Sequence, residues 1–368
     1  MMSRMSTARR IVAVNAAGEV SGAEVVLLGL LAHAAEQGAE LVVASPAGPL
    51  VERLPAGTRH VELPPAGRGW AAGRMGKMVA TGRWLGSWPA AARRLAADVD
   101  RPDTHTVVNS LLALPLVRMA RPWSPPVWFV HDVLATRQQR AFARAGAGAC
   151  GRIVAVSAAA AAPLRALGLD VAVRRNGVEW PVEPIPGELH DPPVVGSLGL
   201  LAPWKGQDDL LEAVARLPDV RLELAGGHFG HDAGFAAELR RRAAAADLRG
   251  RVTFHGHVDD PLAALRGWDV MVSASTSPEA GPMTVIEAMS VGLPVVATNH
   301  GGPREYLAGD RGELVTPGAP AELAAAIARL LADARYRHAV ADRGRRYVAE
   351  HCDRRVTFPA QYTAVMEP

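Results

Sequence analysis

Cysteine is almost missing from this chain. Cys150 and Cys352 are its two thiols, about two hundred positions apart, in no spacing that suits a metal and with no need of a disulfide. That usage fits a reducing compartment. An excess of one charge is missing too: 40 Lys and Arg face 37 Asp and Glu, for a formal net charge of +3. The pI of about 9.2 is therefore no mark of a dedicated nucleic-acid binder, which concentrates far more basic charge, and no nucleic-acid partner is expected. Long apolar runs are lacking as well. After a polar, basic start from Met1 to Arg10, the run Ile11–Val14 stops at Asn15, too short for a signal core or a membrane span. It reads as a first buried strand, and a cytoplasmic location is expected. No G-x-G-x-x-G opens a helix, and neither G-x-x-x-x-G-K-[ST] nor a G-x-S-x-G elbow occurs. Dinucleotide oxidoreductases and P-loop kinases lose their support on that ground.

What remains is 49% hydrophobic and 21% charged, the balance of a globular protein and enough chain for two domains with separate cores. Short apolar runs alternate with longer helical stretches rich in Ala, Leu and Arg. The expected strands are Ile11–Val14, Leu41–Ala44, Thr106–Val108, Val127–Val130 and Ile153–Val156, then Val194–Ser197, Arg221–Ala225, Arg251–His255, Val270–Val272 and Val295–Ala297. Such alternation implies parallel sheets built from right-handed βαβ units. A proline-rich segment from Trp180 to Pro193 divides the series and reads as the linker. The expected fold is α/β: two doubly wound parallel-sheet (Rossmann-like) domains facing across a cleft, with ligands at the carboxyl ends of the strands.

The segment Ser277-Pro278-Glu279-Ala280-Gly281-Pro282-Met283-Thr284-Val285-Ile286-Glu287-Ala288-Met289 carries two acids eight residues apart around a Gly-Pro turn. Pro282 suits a first helical position, because its missing N–H is one that a helix does not use. Glu279 then lies in the loop entering the helix, and Glu287 about one turn inside it. N–H groups at a helix start point at whatever lies there. Carboxylates beside them accept hydrogen bonds from sugar or ribose hydroxyls. Two acids alone would fit a surface glutamate and a capping glutamate equally. The whole string, in this order, resembles the E-x7-E signature of retaining glycosyltransferases with the GT-B fold, family 4 (glycosyl transferases group 1).

The resemblance implies a GT-B architecture and a nucleotide-sugar donor as substrate, with no cofactor and no metal. Glu279 and the stretch Gly281, Pro282, Met283 and Thr284 would meet the donor sugar, and Glu287 the nucleotide ribose. Ser21-Gly22-Ala23-Glu24, after the first strand, resembles the family's Gly-Gly-Ala-Glu loop with Ser21 in place of the first glycine. It would put Gly22 at the donor phosphates and Ser21 and Glu24 on the acceptor side. His131 ends a strand where the family has a histidine against the donor sugar, and Asp132 beside it is the candidate for assisting the acceptor hydroxyl. In Gly199-Leu200-Leu201-Ala202-Pro203-Trp204-Lys205-Gly206, Gly199 and Lys205 match a phosphate-binding segment, and a lysine there acts as a point charge. The family's arginine is replaced by Leu200. Gly226, ending a strand, and the main chain of His257 and Val258 complete the donor set. The catalytic residues expected are His131, Lys205 and Glu279. Gly301-Gly302 and Glu305 also recur in the family and read as a turn and a helix cap.

The resemblance also sets domains at 1–183 (acceptor side) and 184–345 (donor side), with a helix in 346–368 that either crosses back to the first domain or stays on the second. His228, His231, His255 and His257 fit no standard zinc spacing. Residues 68–94 interleave Arg68, Arg74, Lys77, Arg83, Arg93 and Arg94 with Trp70, Met75, Met78, Trp84 and Trp88. They read either as a solvated basic face or as a weak contact with an anionic membrane surface or a lipid-linked acceptor. The function expected is sugar transfer from a nucleotide diphosphate sugar, a UDP-sugar such as UDP-GlcNAc or UDP-glucose, to a hydroxyl acceptor. A sugar-nucleotide 2-epimerase on the same scaffold and a non-catalytic nucleotide-sugar-binding partner subunit are the alternatives.

Overall fold

The computed structural model describes residues 9–65, 74–185 and 187–367. Contacts divide the chain into two units, Met1–Gly177 with Arg354–Pro368, and Val178–Asp353. The first holds strands β1 (Arg10–Val14), β2 (Glu40–Ser45), β3 (Arg59–Glu62), β4 (Thr104–Val108), β5 (Val127–Val130), β6 (Arg152–Ala155) and β7 (Ala172–Val173). They form one sheet in the order β3-β2-β1-β4-β5-β6-β7, with every pair parallel. The second unit holds β8 (Val194–Leu198), β9 (Arg221–Ala225), β10 (Val252–Gly256), β11 (Val270–Ser273), β12 (Val295–Thr298) and β13 (Glu313–Val315). Its order is β10-β9-β8-β11-β12-β13, again all parallel. Strand order reverses between β1 and β4 and between β8 and β11, the switch points beside which open α/β sheets bind ligands.

Central strands are buried on both faces, which is why they read as unbroken apolar runs rather than as alternation. Ile11, Val12, Ala13 and Val14 of β1 are fully buried. The helix Gly22–Glu36 covers them with Leu27, Leu30, Leu31 and Ala34, spaced to share one helical face. Three strands lie outside the sequence expectation: β3, β7 and β13. All are sheet edges. An edge strand is short and half solvated, so Arg59-His60-Val61-Glu62 and Ala172-Val173 carry no apolar run to announce them.

The Trp180–Pro193 stretch is docked on the second unit rather than serving as a free connection. Ile185 N–H donates to the Val291 carbonyl at 2.8 Å, Arg266 to the Glu183 carbonyl at 2.9 Å, and the Arg345 guanidinium lies 4.6 Å from the Trp180 ring centroid. Prolines donate nothing, so arginine side chains take up the carbonyls they leave. The units part at Gly177/Val178 and again at Asp353/Arg354, compared with 183/184 and 345/346 read from the sequence. The helix Ala334–His351 stays in the second unit, and the helix Arg354–Met366 belongs to the first. A Cβ at Gly29 would overlap the Phe358 ring, so the two helices approach closely there. Gln361, fully buried, donates to the Arg175 carbonyl at 2.9 Å.

Neither cysteine is in a disulfide, and burial pushes the Cys150 thiol up to about 12, which removes its nucleophilic form at neutral pH. No helix among the described residues is long and apolar enough to cross a membrane. Of the basic stretch 68–94, Arg68 and Trp70 lie outside the described residues, as do the side chains of 74–85.

Val365 in the Arg354–Met366 helix is fully buried among the core residues of the first unit. Val365→Ala should therefore lower the unfolding free energy by roughly 1–3 kcal/mol, read from urea denaturation. An unchanged midpoint would mean that this helix adds nothing to that core.

Candidate functional site

In the second unit the strand ends are stitched by their own main chain. Gly199 N–H donates to the Ala225 carbonyl at 2.9 Å, Leu201 N–H to Gly227 at 2.8 Å, and Gly226 N–H to Gly256 at 2.6 Å. This binds the carboxyl ends of β8, β9 and β10 into one edge. From it the chain turns through Pro203–Lys205 into the helix Gln207–Ala215. Lys205 Nζ donates to Glu279 Oε2 at 2.6 Å and lies 4.3 Å from the Trp204 ring centroid. The other carboxylate oxygen of Glu279 accepts from Ser275 Oγ in a short hydrogen bond. The Lys205 and Glu279 side chains are 19% and 10% exposed, so the pair is largely dehydrated yet open at one side.

The loop carrying Glu279 rests on the residues after β12. Gly302 N–H donates to the Glu279 carbonyl at 2.7 Å. Gly301 has φ +61°, and a Cβ there would strike the Glu279 main chain, so this position takes only glycine. The Ser275 carbonyl accepts from Thr298 Oγ1 at 2.7 Å and His300 Nε2 at 2.8 Å. The Gly-Gly pair, read from the sequence as a turn, is thus the seat of the acid-bearing loop.

Pro282 is the N-cap, with ψ 121°, and the helix runs Met283–Ser290, one residue later than its sequence suggested. An extended cap residue is a normal entry to a helix. Glu287 is half-buried on that helix, and among the described residues its carboxyl meets no partner. Burial pushes it up to about 7. Met283 is buried; Gly281 and Thr284 are half-buried. Exposed His257 and half-buried Val258 lie in the loop after β10, with the His257 ring 3.5 Å from Asp259. Leu200 is half-buried, and its carbonyl accepts from Gln207 Nε2 at 2.8 Å.

The first unit brings Ser21, Gly22, Glu24 and His131 to the carboxyl ends of β1, β4 and β5. Ser21 N–H and Oγ donate to Glu24 Oε2 at 3.0 and 2.5 Å at the start of the Gly22–Glu36 helix, an arrangement that fixes a helix entry. Glu24, 5% exposed, also accepts from Asn15 Nδ2 at 3.0 Å. His131 Nε2 lies 2.8 Å from Asn109 Oδ1, and its ring stacks on Phe129 with centroids 6.4 Å apart. Burial lowers its pKa to about 4, so the ring is neutral. Asp132 is exposed; dehydration by surrounding atoms, then the Glu24 charge, raises its carboxyl above the ordinary range.

Asn15, Asn109 and Ser275 were not picked out in the sequence. Their one signal is a polar residue at the end of an apolar strand, as in Ile11-Val12-Ala13-Val14-Asn15. His255 pairs with Glu223 at 2.9 Å and His257 with Asp259. Among the described residues no group of His, Cys, Asp and Glu is placed to hold a metal ion.

Sequence models of two families match end to end: Glycosyltransferase Family 4 over residues 20–179, and Glycosyl transferases group 1 over 181–347. The lipopolysaccharide core biosynthesis glycosyltransferase LpsE of Rhizobium meliloti is 35% identical over 178 residues, which is 48% of this chain and 48% of that protein. D-inositol 3-phosphate glycosyltransferase of Mycobacterium tuberculosis is 36% identical over 169 residues, 45% of this chain and 35% of that protein. The chain thus spans about half the length of the first relative and about a third of the second. Among solved structures, HepE of Anabaena, in complex with UDP and glucose, superimposes with a TM-score of 0.81 at 22% identity, covering 97% of this chain and 99% of that one. WaaG, a glycosyltransferase involved in lipopolysaccharide biosynthesis, gives 0.72 at 17% identity over 97% and 100%. These likenesses establish the fold as GT-B.

Glu287 has a consequence for stability. Its folded form keeps a proton up to about pH 7, whereas the unfolded chain loses it near 4.5. Fewer protons bound in the unfolded state means that stability falls as pH rises through that window. Glu287→Gln cannot ionise, so its melting temperature should gain on that of the wild type from pH 4.5 to 7. A pH-independent difference between the two would refute the buried, unpaired carboxyl.

Proposed function

The chain belongs to the group 1 glycosyl transferases, and from that membership we propose that it moves a sugar from a nucleotide diphosphate sugar to an acceptor hydroxyl. The donor proposed is a UDP-sugar, such as UDP-glucose or UDP-GlcNAc, and the acceptor a small molecule, lipid or glycan. The anomeric configuration is retained and no metal takes part. One observation carries the reading: the Lys205 ammonium and the Glu279 carboxylate are 2.6 Å apart. In a nucleotide sugar a single oxygen joins the diphosphate to the sugar ring. A phosphate-binding cation and a sugar-binding carboxylate must therefore be neighbours. Complexes of HepE with UDP and with UDP-glucose support the choice of nucleotide.

The bond that breaks joins the anomeric carbon to the phosphate oxygen, and negative charge builds on the leaving diphosphate. Lys205 and the main-chain N–H groups at the Met283 helix entry offset that charge without reorganising. Glu279, held by Ser275 and by the Gly301-Gly302 seat, orients the sugar through its hydroxyls. Glu287 accepts from the ribose. His131 faces the sugar, and Asp132, with its raised carboxyl, assists the acceptor hydroxyl. Exclusion of water limits hydrolysis of the donor.

A thermal-shift screen against UDP, GDP, ADP and their sugar conjugates tests the donor. One nucleotide should raise the melting temperature selectively, and Lys205→Ala and Glu287→Ala should abolish that rise. Release of the nucleotide under turnover should fall roughly 100-fold or more in Lys205→Ala and Glu279→Ala. No shift with any nucleotide would sink the donor assignment.

A further inference from the structure

Polar side chains at the carboxyl ends of β1, β4 and β5 form one continuous line of hydrogen bonds. It runs from His131 Nε2 to Asn109 Oδ1 at 2.8 Å, from Asn109 Nδ2 to Asn15 Oδ1 at 3.2 Å, and from Asn15 Nδ2 to Glu24 Oε1 at 3.0 Å. Asn15 and Asn109 are 1% and 4% exposed, so water does not stand in for a lost partner. Main-chain carbonyls fix the direction of each amide. Asn15 Nδ2 also donates to the Ala17 carbonyl at 2.8 Å, and Asn109 Nδ2 lies 3.5 Å from that of Ala23. Turning either amide round would set oxygen against oxygen twice. Asn109 therefore offers its oxygen to His131, and Nε2 must carry the hydrogen. The lone pair is then on Nδ1, which no described residue engages.

We propose that Asn15 and Asn109 are positioning residues for His131, holding the hydrogen on Nε2 and the ring in one orientation, so that Nδ1 accepts a hydrogen bond from a ligand hydroxyl. The ligand in this statement rests on the glycosyl-transfer reading; the state of the ring does not. A fixed acceptor distinguishes hydroxyl orientation from proton transfer, because a ring that stays neutral supplies no proton as an acid. Burial opposes the imidazolium. Two ionisable groups stand by it: Asp132, exposed and next in sequence, and Glu24 behind two neutral amides. Neither carboxylate touches the ring nitrogens among the described contacts.

Long-range proton–nitrogen NMR of the full chain, with His131 assigned by the signal lost in His131→Gln, reads the ring directly. His131 should show the Nε2–H form without titration between about pH 5 and 8. Asn109→Asp sets a carboxylate against Nε2, stabilises the imidazolium and should bring the titration up into that range. Its kcat should then fall about tenfold from the alkaline to the acid end as Nδ1 takes a proton, while the wild type stays flat. Asn109→Leu should lose kcat with the donor KM held within about twofold. A wild-type ring that titrates near its ordinary value, an Nδ1–H signal, or an Asn109→Asp profile identical to the wild type would overturn the proposal while leaving sugar transfer intact. A ring in the expected state in a protein with no detectable transfer would instead overturn the glycosyl-transfer reading.

Discussion

A parallel sheet covered on both faces holds few polar side chains inside, Thr104 and Thr106 of β4 among them, and the positions of both clusters follow from that constraint. β1, β5, β11 and β12 are buried along their whole length. A hydrogen-bonding group within them would lose its water without a partner. Chemistry is therefore pushed to the carboxyl ends, where strands stop and helix N–H groups begin. Asn15, Asn109, His131, Ser275 and Thr298 all stand just past, or at the last residue of, an apolar strand. The switch points then decide which strand ends become neighbours, bringing Asn15 to Asn109 in one unit and the β8 and β11 ends together in the other.

The same accounting explains how irregular segments are held. Every carbonyl taken from water needs a donor. The proline-rich stretch after Trp180 receives arginine side chains. The acid-bearing loop receives the Gly302 N–H, and the Ser275 carbonyl receives Thr298 and His300. Rigidity in both loops comes from donors reaching in from neighbouring elements, and it is this that gives Glu279 a fixed place.

Interior strands were legible in the sequence because burial on both faces writes an apolar run, and Val127–Val130 matches to the residue. The edge strands β3, β7 and β13 were not; Arg59–Glu62, for one, is paired through its main chain and its side chains face partly outward. Resemblance to the family's motif strings singled out Glu279, Glu287 and Lys205. It gave no sign that Lys205 and Glu279 touch, because a contact across 74 positions depends on the crossing of β8 and β11. Asn15 and Asn109 belong to no such string. A single amide at a strand end carries the same letter whether it caps a turn or relays a hydrogen bond.

The Lys205–Glu279 pair also bears on the place of Leu200. A largely dehydrated lysine without a counter-charge would be costly, and a carboxylate left alone there would be costly in turn. Each therefore holds the other in orientation before any ligand arrives. An arginine in place of Leu200 would add a second cation, yet nothing in the main chain depends on it. The Leu200 carbonyl is already held by Gln207, itself only 3% exposed. The replacement thus removes charge while the shape of the loop survives. On the proposed donor reading a diphosphate meets Lys205 as the side-chain cation of this loop, and the geometry of one ion pair then carries a share of donor binding that two cations would otherwise divide.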